Sequence, residues 1–254
     1  MASSPIQSVA NFTFTPNTRE SGVTKCFKEY FSVGPSFGRP KCDIKIAEPP
    51  SDKIFWIVGI TNSINFFDNL DGGASGTVAV ISIFLFAIAF ELGQSLVSAL
   101  AIVTAGATLG FLIWNKTPAK IYMGDAGALF LGIIISVLTI RLSPGIIPQE
   151  KSFAIPLLLM ATPILDTTVA VISRLHRRIS PFQGGRDHLS HRLMRVGLSR
   201  KVTALTLWAM AAFYGAMAYA VYTWPDTLGW QLIIVAAIAW IAKLVFFLRI
   251  PSEG

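Results

Sequence analysis

Three stretches of this sequence place reactive side chains at the edges of oily segments. The first is "NSINFFDNLDGGASG", residues 62–76, where Asn62, Asn65, Asp68, Asn69 and Asp71 close an apolar run. On a helix, Asn62, Asn65 and Asp68 fall at steps of three and share one face. Gly72 and Gly73 then let the chain turn and bring Asp71 back. Helix capping accounts for one or two such residues, not for the set. The second is "NKTPAKIYMGDAGALFLG", residues 115–132, with Asp125 between Gly124 and Gly127 at a helix start and Tyr122 three residues earlier. A helix start favours anions, and glycines permit a ligand to approach the backbone closely. Taken alone, Asp125 also fits a plain N-cap and Tyr122 an interfacial anchor. The third is "GGRDHLSH", residues 184–191, holding Arg186, Asp187, His188 and His191.

Carboxylate oxygens suit Mg²⁺, which is commonly held by one or two carboxylates together with phosphate oxygens. Arginine and histidine supply positive charge to phosphate. Amides and an aromatic ring can read a base or a sugar. The set fits phosphoryl transfer, with a metal neutralising a diphosphate. Zinc fits poorly, because it wants three or four nitrogen or sulfur ligands and no cysteine is near. Cys26 and Cys42 lack metal-type spacing.

These groups need a membrane scaffold. The 254 residues are 53% hydrophobic and 14% charged, and the mean hydropathy is +0.59. A soluble domain carries about 25% charge, so the composition points to a membrane protein. Apolar stretches run over approximately 54–68, 77–91, 95–114, 127–141, 152–173, 202–223 and 228–248. The expected fold is all-α and polytopic, with about seven transmembrane helices, because lipid offers the backbone no hydrogen-bond partners. Pro156 and Pro163 are expected to kink the fifth helix. Asp166, deep in that segment, is expected to pair helices or support the site from behind.

The loop 174–201 is rich in Lys and Arg, which places it in the cytoplasm. Helix counting puts loops 69–76 and 115–126 on the same side. Arg174, Arg177 and Arg178 fit topology and lipid headgroups. Residues 1–51 carry Arg19, Lys25, Lys28, Arg39, Lys41 and Lys45 on the side expected to face outward. They show no apolar core of signal-peptide length and read as an irregular or disordered segment ahead of a membrane domain over 52–254.

The three stretches resemble motifs of the polyprenyl-phosphate N-acetylhexosamine-1-phosphate transferases, glycosyl transferase family 4. The pattern N-x-x-N-x-x-D-G-x-D-G is met by Asn62, Asn65, Asp68, Asp71 and Gly72, with Asn69 at the first glycine. The pattern N-x-x-P-A-x-x-F-M-G-D-x-G is met by Asn115, Pro118, Ala119, Met123, Gly124, Asp125 and Gly127, with Tyr122 at the Phe. The pattern D-R-x-H-x-H-H is met by Arg186, His188 and His191, with Ser190 at a usual histidine. The similarity covers about residues 52–248.

The resemblance implies transfer of a sugar 1-phosphate from a UDP-sugar, expected to be a UDP-N-acetylhexosamine, to a polyprenyl phosphate, with release of UMP, in cell-envelope glycan synthesis. It implies Mg²⁺ (or Mn²⁺) on Asp125, a catalytic set of Asp68, Asp125, His188 and His191, and substrate contacts from Asn62, Asn65, Asp71, Asn115, Tyr122 and Arg186. It implies a bacterial cytoplasmic membrane, a site on its cytoplasmic face, and no nucleic-acid partner. One departure stands out. Family members carry an Asp-Asp pair on an earlier cytoplasmic loop, and no two aspartates are adjacent here. Residues 1–51 also lack the family's early helices. The expectation is a truncated or rearranged copy, complemented by an N-terminal half or a homodimer partner, that binds nucleotide better than it turns over. The alternatives are a non-catalytic remnant or partner subunit and, from another class, a secondary transporter. A transporter would need charges near the bilayer midplane, where only Asp166 and Glu91 are candidates.

Overall fold

A computed structural model of the protein describes residues 51–180 and 185–251. The expected irregular segment over 1–51 lies outside the described residues, except for Ser51, which starts the first helix. Cys26 and Cys42 lie outside them as well. Among the described residues every regular element is helical: α1 Ser51–Phe67, α2 Gly73–Glu91, α3 Ser95–Asn115, α4 Gly124–Arg141, α5 Gln149–Leu159, α6 Ala161–His176, α7 Leu189–Arg195, α8 Arg200–Thr223 and α9 Gly229–Arg249.

Each of the seven apolar stretches forms helix, and the fifth is divided. Five helices, α2, α3, α4, α8 and α9, are long and apolar enough to cross a bilayer, and the pair α5–α6, bent by 71°, makes a sixth if it is one span. At 17 residues α1 is shorter than these and below the ~20 residues a full span needs. The chain is a polytopic integral membrane protein. Ile234, Val235, Ile238 and Ile241 of α9 point outward, as suits lipid.

The bend has a local cause. Pro163 has no N–H to offer Leu159, and its ring would crowd that carbonyl in a continuous helix. The chain restarts at Ala161 instead, which puts Pro163 in the first turn of α6, where a missing donor costs nothing. The amide of Met160 meets the Pro156 carbonyl at 3.1 Å and closes the break.

The helices around the polar end are held by close approaches. A Cβ on Gly132 would stand 2.7 Å from Thr61 Cα, so only glycine lets α4 lie this tightly on α1. Trp56 Nε1 donates to Thr139 Oγ1 at 3.1 Å along the same seam. The two helices are antiparallel neighbours, so the end of α1 stands beside the start of α4. Ile64, Ile81, Leu85, Ile135 and Tyr214 fill a large core away from the polar end. Phe67, Leu70, Leu165, Leu189, Leu193 and Phe247 fill a second core beneath it. At the opposite end, a cavity of about 920 Å³ opens beside Trp56, Thr139, Ile146 and Phe153.

Candidate functional site

The antiparallel seam brings the first two clusters together. Asp68 follows the last residue of α1, and Asp125 lies in the first turn of α4. Burial, and then the nearby Asp125 charge, raise the Asp68 pKa from 3.8 to about 6. The cap position of α4 is Met123, with no side-chain cap bond. Asp125 is therefore not spent on capping, and the α4 macrodipole favours a negative charge there. Neither carboxylate has a hydrogen-bond or ion-pair partner among the described residues. One turn below Asp68, the buried Asn65 Oδ1 also lacks a partner. Asn62 is exposed and donates to the Val58 carbonyl of its own helix at 2.8 Å.

Asn115 fixes the loops around these carboxylates. It is buried at the end of α3. Its Oδ1 accepts from Gly72 N at 3.1 Å and Ser75 Oγ at 2.8 Å. Its Nδ2 donates to the Ile121 carbonyl at 3.0 Å. One side chain thus ties the Gly72 turn to the segment that leads into Tyr122 and Asp125. Gly72 sits at φ 73, a left-handed turn that suits glycine. Asp71 Oδ2 accepts from Ala119 N at 3.1 Å and makes a second tie between the same loops. From α8, Trp208 Nε1 donates to the Gly72 carbonyl at 2.9 Å. Tyr122 stands out from this frame, 74% exposed.

The third cluster is anchored on α6. His188 is buried, with Nδ1 2.7 Å from Asp166 Oδ2 and Nε2 3.3 Å from an Arg174 nitrogen. Arginine only donates, so Nε2 accepts and the ring proton sits on Nδ1, facing the carboxylate. Asp166 Oδ1 also accepts from Leu189 N at 2.7 Å and fixes the first residue of α7. Asp187 receives Arg174 Nε at 3.0 Å and is bonded to Arg177. Arg192 is buried among acceptors: the Asp187 carbonyl at 2.9 Å, the Phe247 carbonyl at 2.6 Å, and also the Ile250 carbonyl and Ser173. Burial, above all, lowers its pKa from the ordinary guanidinium value. Arg186 is exposed and His191 half-buried on this frame. Phe66 bridges the clusters, with its ring 6.1 Å from that of His188 and 5.8 Å from the Arg174 guanidinium.

Among the described residues no group of three or more His, Cys, Asp or Glu side chains could hold a metal alone. Asp68, Asp125 and the orphaned Asn65 oxygen nonetheless form a set of hard oxygen donors, which suits Mg²⁺ completed by phosphate or water.

Known sequences match much of this chain. A family model described as glycosyl transferase family 4 matches residues 33–143. A probable undecaprenyl-phosphate N-acetylglucosaminyl 1-phosphate transferase of Bacillus subtilis is 35% identical over 200 residues, 78% of this chain and 51% of the relative. The chain is similar to members of glycosyl transferase family 4. A second relative in the comparison is the decaprenyl-phosphate N-acetylglucosaminephosphotransferase of Mycolicibacterium smegmatis, 30% identical over 218 residues, 78% of this chain and 53% of that protein. A shorter match, 45% over 94 residues, joins 37% of the chain to 29% of the phospho-N-acetylmuramoyl-pentapeptide-transferase of Staphylococcus carnosus. The chain spans about half the length of the first two curated relatives.

Several supports of the site escape sequence reasoning. Arg174 and Arg177 read as headgroup or topology charges, yet Asp187 holds both, and Arg174 is only 2% exposed. The i, i+3 spacing of these arginines, just ahead of a loop aspartate, was the available signal. Asp166 bonds His188 and the Leu189 amide. Nothing in the local sequence announces Trp208.

Proposed function

We propose that this chain forms the nucleotide and metal side of a site that transfers a sugar 1-phosphate from UDP-N-acetylhexosamine to a polyprenyl phosphate and releases UMP. The observation that carries this reading is the pair of unpartnered carboxylates, Asp68 and Asp125, at the joined ends of α1 and α4, with Asp68 raised to about 6. Two carboxylates held together at a helix junction favour a cation between them. The names of the Bacillus and Mycolicibacterium relatives support the lipid-phosphate substrate class.

Asp125 and Asp68 would hold Mg²⁺ (Mn²⁺ as an alternative), with Asn65 Oδ1 beside them. When bound, the cation supplies charge neutralisation for the diphosphate. In the transfer, an oxygen of the lipid phosphate attacks the phosphorus that carries the sugar. A new P–O bond forms, the bond to the bridging oxygen breaks, and UMP leaves with that oxygen. Tyr122 offers its exposed face to the uracil ring. Asp71 and Asn115 shape the uridine pocket by fixing the Gly72 turn and the segment 116–122. Arg186 and His191 face the phosphates or sugar, and Asn62 stands on the rim. His188, with both ring nitrogens engaged, acts by holding α7 in place.

The site faces the cytoplasm of a bacterial cell in this reading, because the basic residues of 174–201 lie at the same end as Asp68 and Asp125. With Cys26 and Cys42 replaced, Lys116→Cys and Lys201→Cys should resist an impermeant thiol reagent in intact cells, while Glu150→Cys and Asp226→Cys react. The reverse pattern overturns the orientation.

A second reading has its own observation: no two aspartates are adjacent in this sequence. The chain would then bind UDP-sugar and leave attack by the lipid phosphate to acidic residues on a complementing N-terminal half or a second copy. One experiment separates the readings. UMP release from UDP-N-acetylglucosamine and undecaprenyl phosphate is measured with Mg²⁺, and UDP binding by calorimetry. Turnover supports the full reaction, and binding without turnover supports the partner reading. Absence of both sinks the proposal.

A further inference from the structure

Besides Phe66, a polar side-chain pair joins the two arms of the site, Asn69 and Ser190. Asn69 follows Asp68, and Ser190 precedes His191. Ser190 Oγ donates to Asn69 Oδ1 across 121 positions of sequence. Asn69 Nδ2 donates at 2.7 Å to the carbonyl of Phe66, in the last turn of α1. The amide therefore caps one helix end with its nitrogen and receives the first turn of another helix with its oxygen. Its orientation is fixed by its partners, because a flipped amide would face the Phe66 carbonyl with an oxygen. Ser190 is 1% exposed. These are also the two positions at which the motifs carry Asn for Gly and Ser for His.

Each arm is anchored elsewhere and on its own. The carboxylate arm is tied to Asn115 and Trp208. The histidine arm is tied to Asp166 through His188 Nδ1 and Leu189 N. The Asn69–Ser190 bond connects these two frames directly, between the last turn of α1 and the first turn of α7. We propose that Asn69 and Ser190 are positioning residues that set the distance from the Asp68–Asp125 carboxylates to Arg186 and His191. The pair therefore governs binding of a ligand that spans both arms, a nucleoside diphosphate sugar, and not binding of a cation held by the carboxylates alone. This rests on the transfer reading for the identity of the spanning ligand.

The test is a double-mutant cycle on the full chain in detergent, with Ser190→Ala, Asn69→Ala and the double variant. Calorimetry reads the Kd of Mn²⁺ alone and of UDP-N-acetylglucosamine with Mg²⁺. Ser190→Ala should weaken the nucleotide sugar about tenfold, about 1.4 kcal/mol, with the Mn²⁺ Kd within twofold of wild type. Asn69→Ala added to it should cost much less than it does alone. Ser190→Thr keeps the hydroxyl and should restore most of the affinity, which loss of folding would not permit. If the alanine variants lose folding, an Asn69→Cys/Ser190→Cys pair decides instead, since oxidation should cross-link it and keep nucleotide-sugar binding. Equal weakening of Mn²⁺ and nucleotide sugar, additive effects, or failure of Ser190→Thr to rescue overturns the proposal. A wild-type chain that binds Mn²⁺ but no nucleotide sugar overturns the transfer reading, whereas a wild type that binds both with variants indistinguishable from it overturns only the pair's role.

Discussion

Two groups of charge lie at the same end of this molecule, and they are built in opposite ways. Around Asp187 opposite charges are paired. Arg174 and Arg177 flank its carboxylate, Arg174 also reaches His188, and His188 rests on Asp166. Around Asp125 and Asp68 the carboxylates have no partner among the described residues, so the half-buried Asp68 is pushed toward neutrality. Closure makes a scaffold, because desolvated ions are tolerated only when paired and hydrogen-bonded. Openness makes a site, because unneutralised carboxylates hold free energy that a cation can release. The contrast predicts that the first group is read out in folding and the second in ligand binding.

The largest effect should come from opening the closed group. Asp187→Asn leaves Arg174 buried without its counter-charge and weakens the hold on Arg177. Breaking one partner of a buried pair costs about 3–5 kcal/mol. The thermal unfolding midpoint of the detergent-solubilised chain should fall sharply, with or without Mg²⁺. A midpoint within a degree of wild type would show that the network is not a scaffold.

Asn115 stands between the two types and sharpens the line. It is neutral and buried, and it accepts two bonds and donates one. Asn115→Ala strands Ser75 Oγ, the Gly72 amide and the Ile121 carbonyl. A stranded buried polar group costs about 1–3 kcal/mol. The midpoint should drop less than for Asp187→Asn, and UDP affinity should drop with it, because the Gly72 turn and the Tyr122 segment lose their tie. Intact UDP affinity in a destabilised variant would remove that tie from the binding site.

Opening is not needed at the carboxylate pair, only filling. Mg²⁺ should raise the wild-type midpoint, and at a hundred times its Kd the gain is about 2.7 kcal/mol. Asp125→Asn should abolish that gain and leave the metal-free midpoint unchanged or higher, since it removes a like charge from Asp68. A variant that still gains stability from Mg²⁺ would take Asp125 out of the cation site.

The division between the two groups also explains what could be read before folding. Helices were legible because apolar runs of this length satisfy their backbone groups in lipid as helices. The helix-end positions of Asp68 and Asp125 were legible because glycines and amides surround each, and short-range spacing carries that signal. The bend at Met160 was legible from Pro156 and Pro163. The closed group was not. Arg174 meets Asp187 thirteen positions on, Arg192 meets the carbonyls of Phe247 and Ile250 at the end of α9, and Asn69 meets Ser190 across 121 positions of sequence. Such contacts depend on how helices pack, and no period in the sequence encodes them. Positive charge near a membrane has two physical uses, topology and pairing, and composition alone does not separate them.

The smallest effect is the most specific to the open pair, because it follows one proton. Asp68 is raised from 3.8 to about 6, first by burial and then by Asp125. The folded form therefore binds this proton more tightly than the unfolded chain does. Between about pH 6 and 3.8 the folded state carries more of it, so the contribution of Asp68 to stability grows as the pH falls through that window and is lost as the pH rises above 6. Other carboxylates titrate in the same range, so the quantity to follow is the difference between wild type and Asp68→Asn. Without metal, wild type should gain on the variant as the pH goes from 7.5 to 5. Adding Asp125→Asn to both chains should shrink the gain without removing it, since burial is the larger cause. Mg²⁺ favours the ionised form, so its stabilisation of wild type should weaken below about pH 6, as protons compete for the same oxygens. Thermal melts across pH, with EDTA and with Mg²⁺, supply both curves. An Mg²⁺ gain that is the same at pH 5 and pH 7.5 would mean that Asp68 does not face the cation, and the open pair would reduce to Asp125 alone.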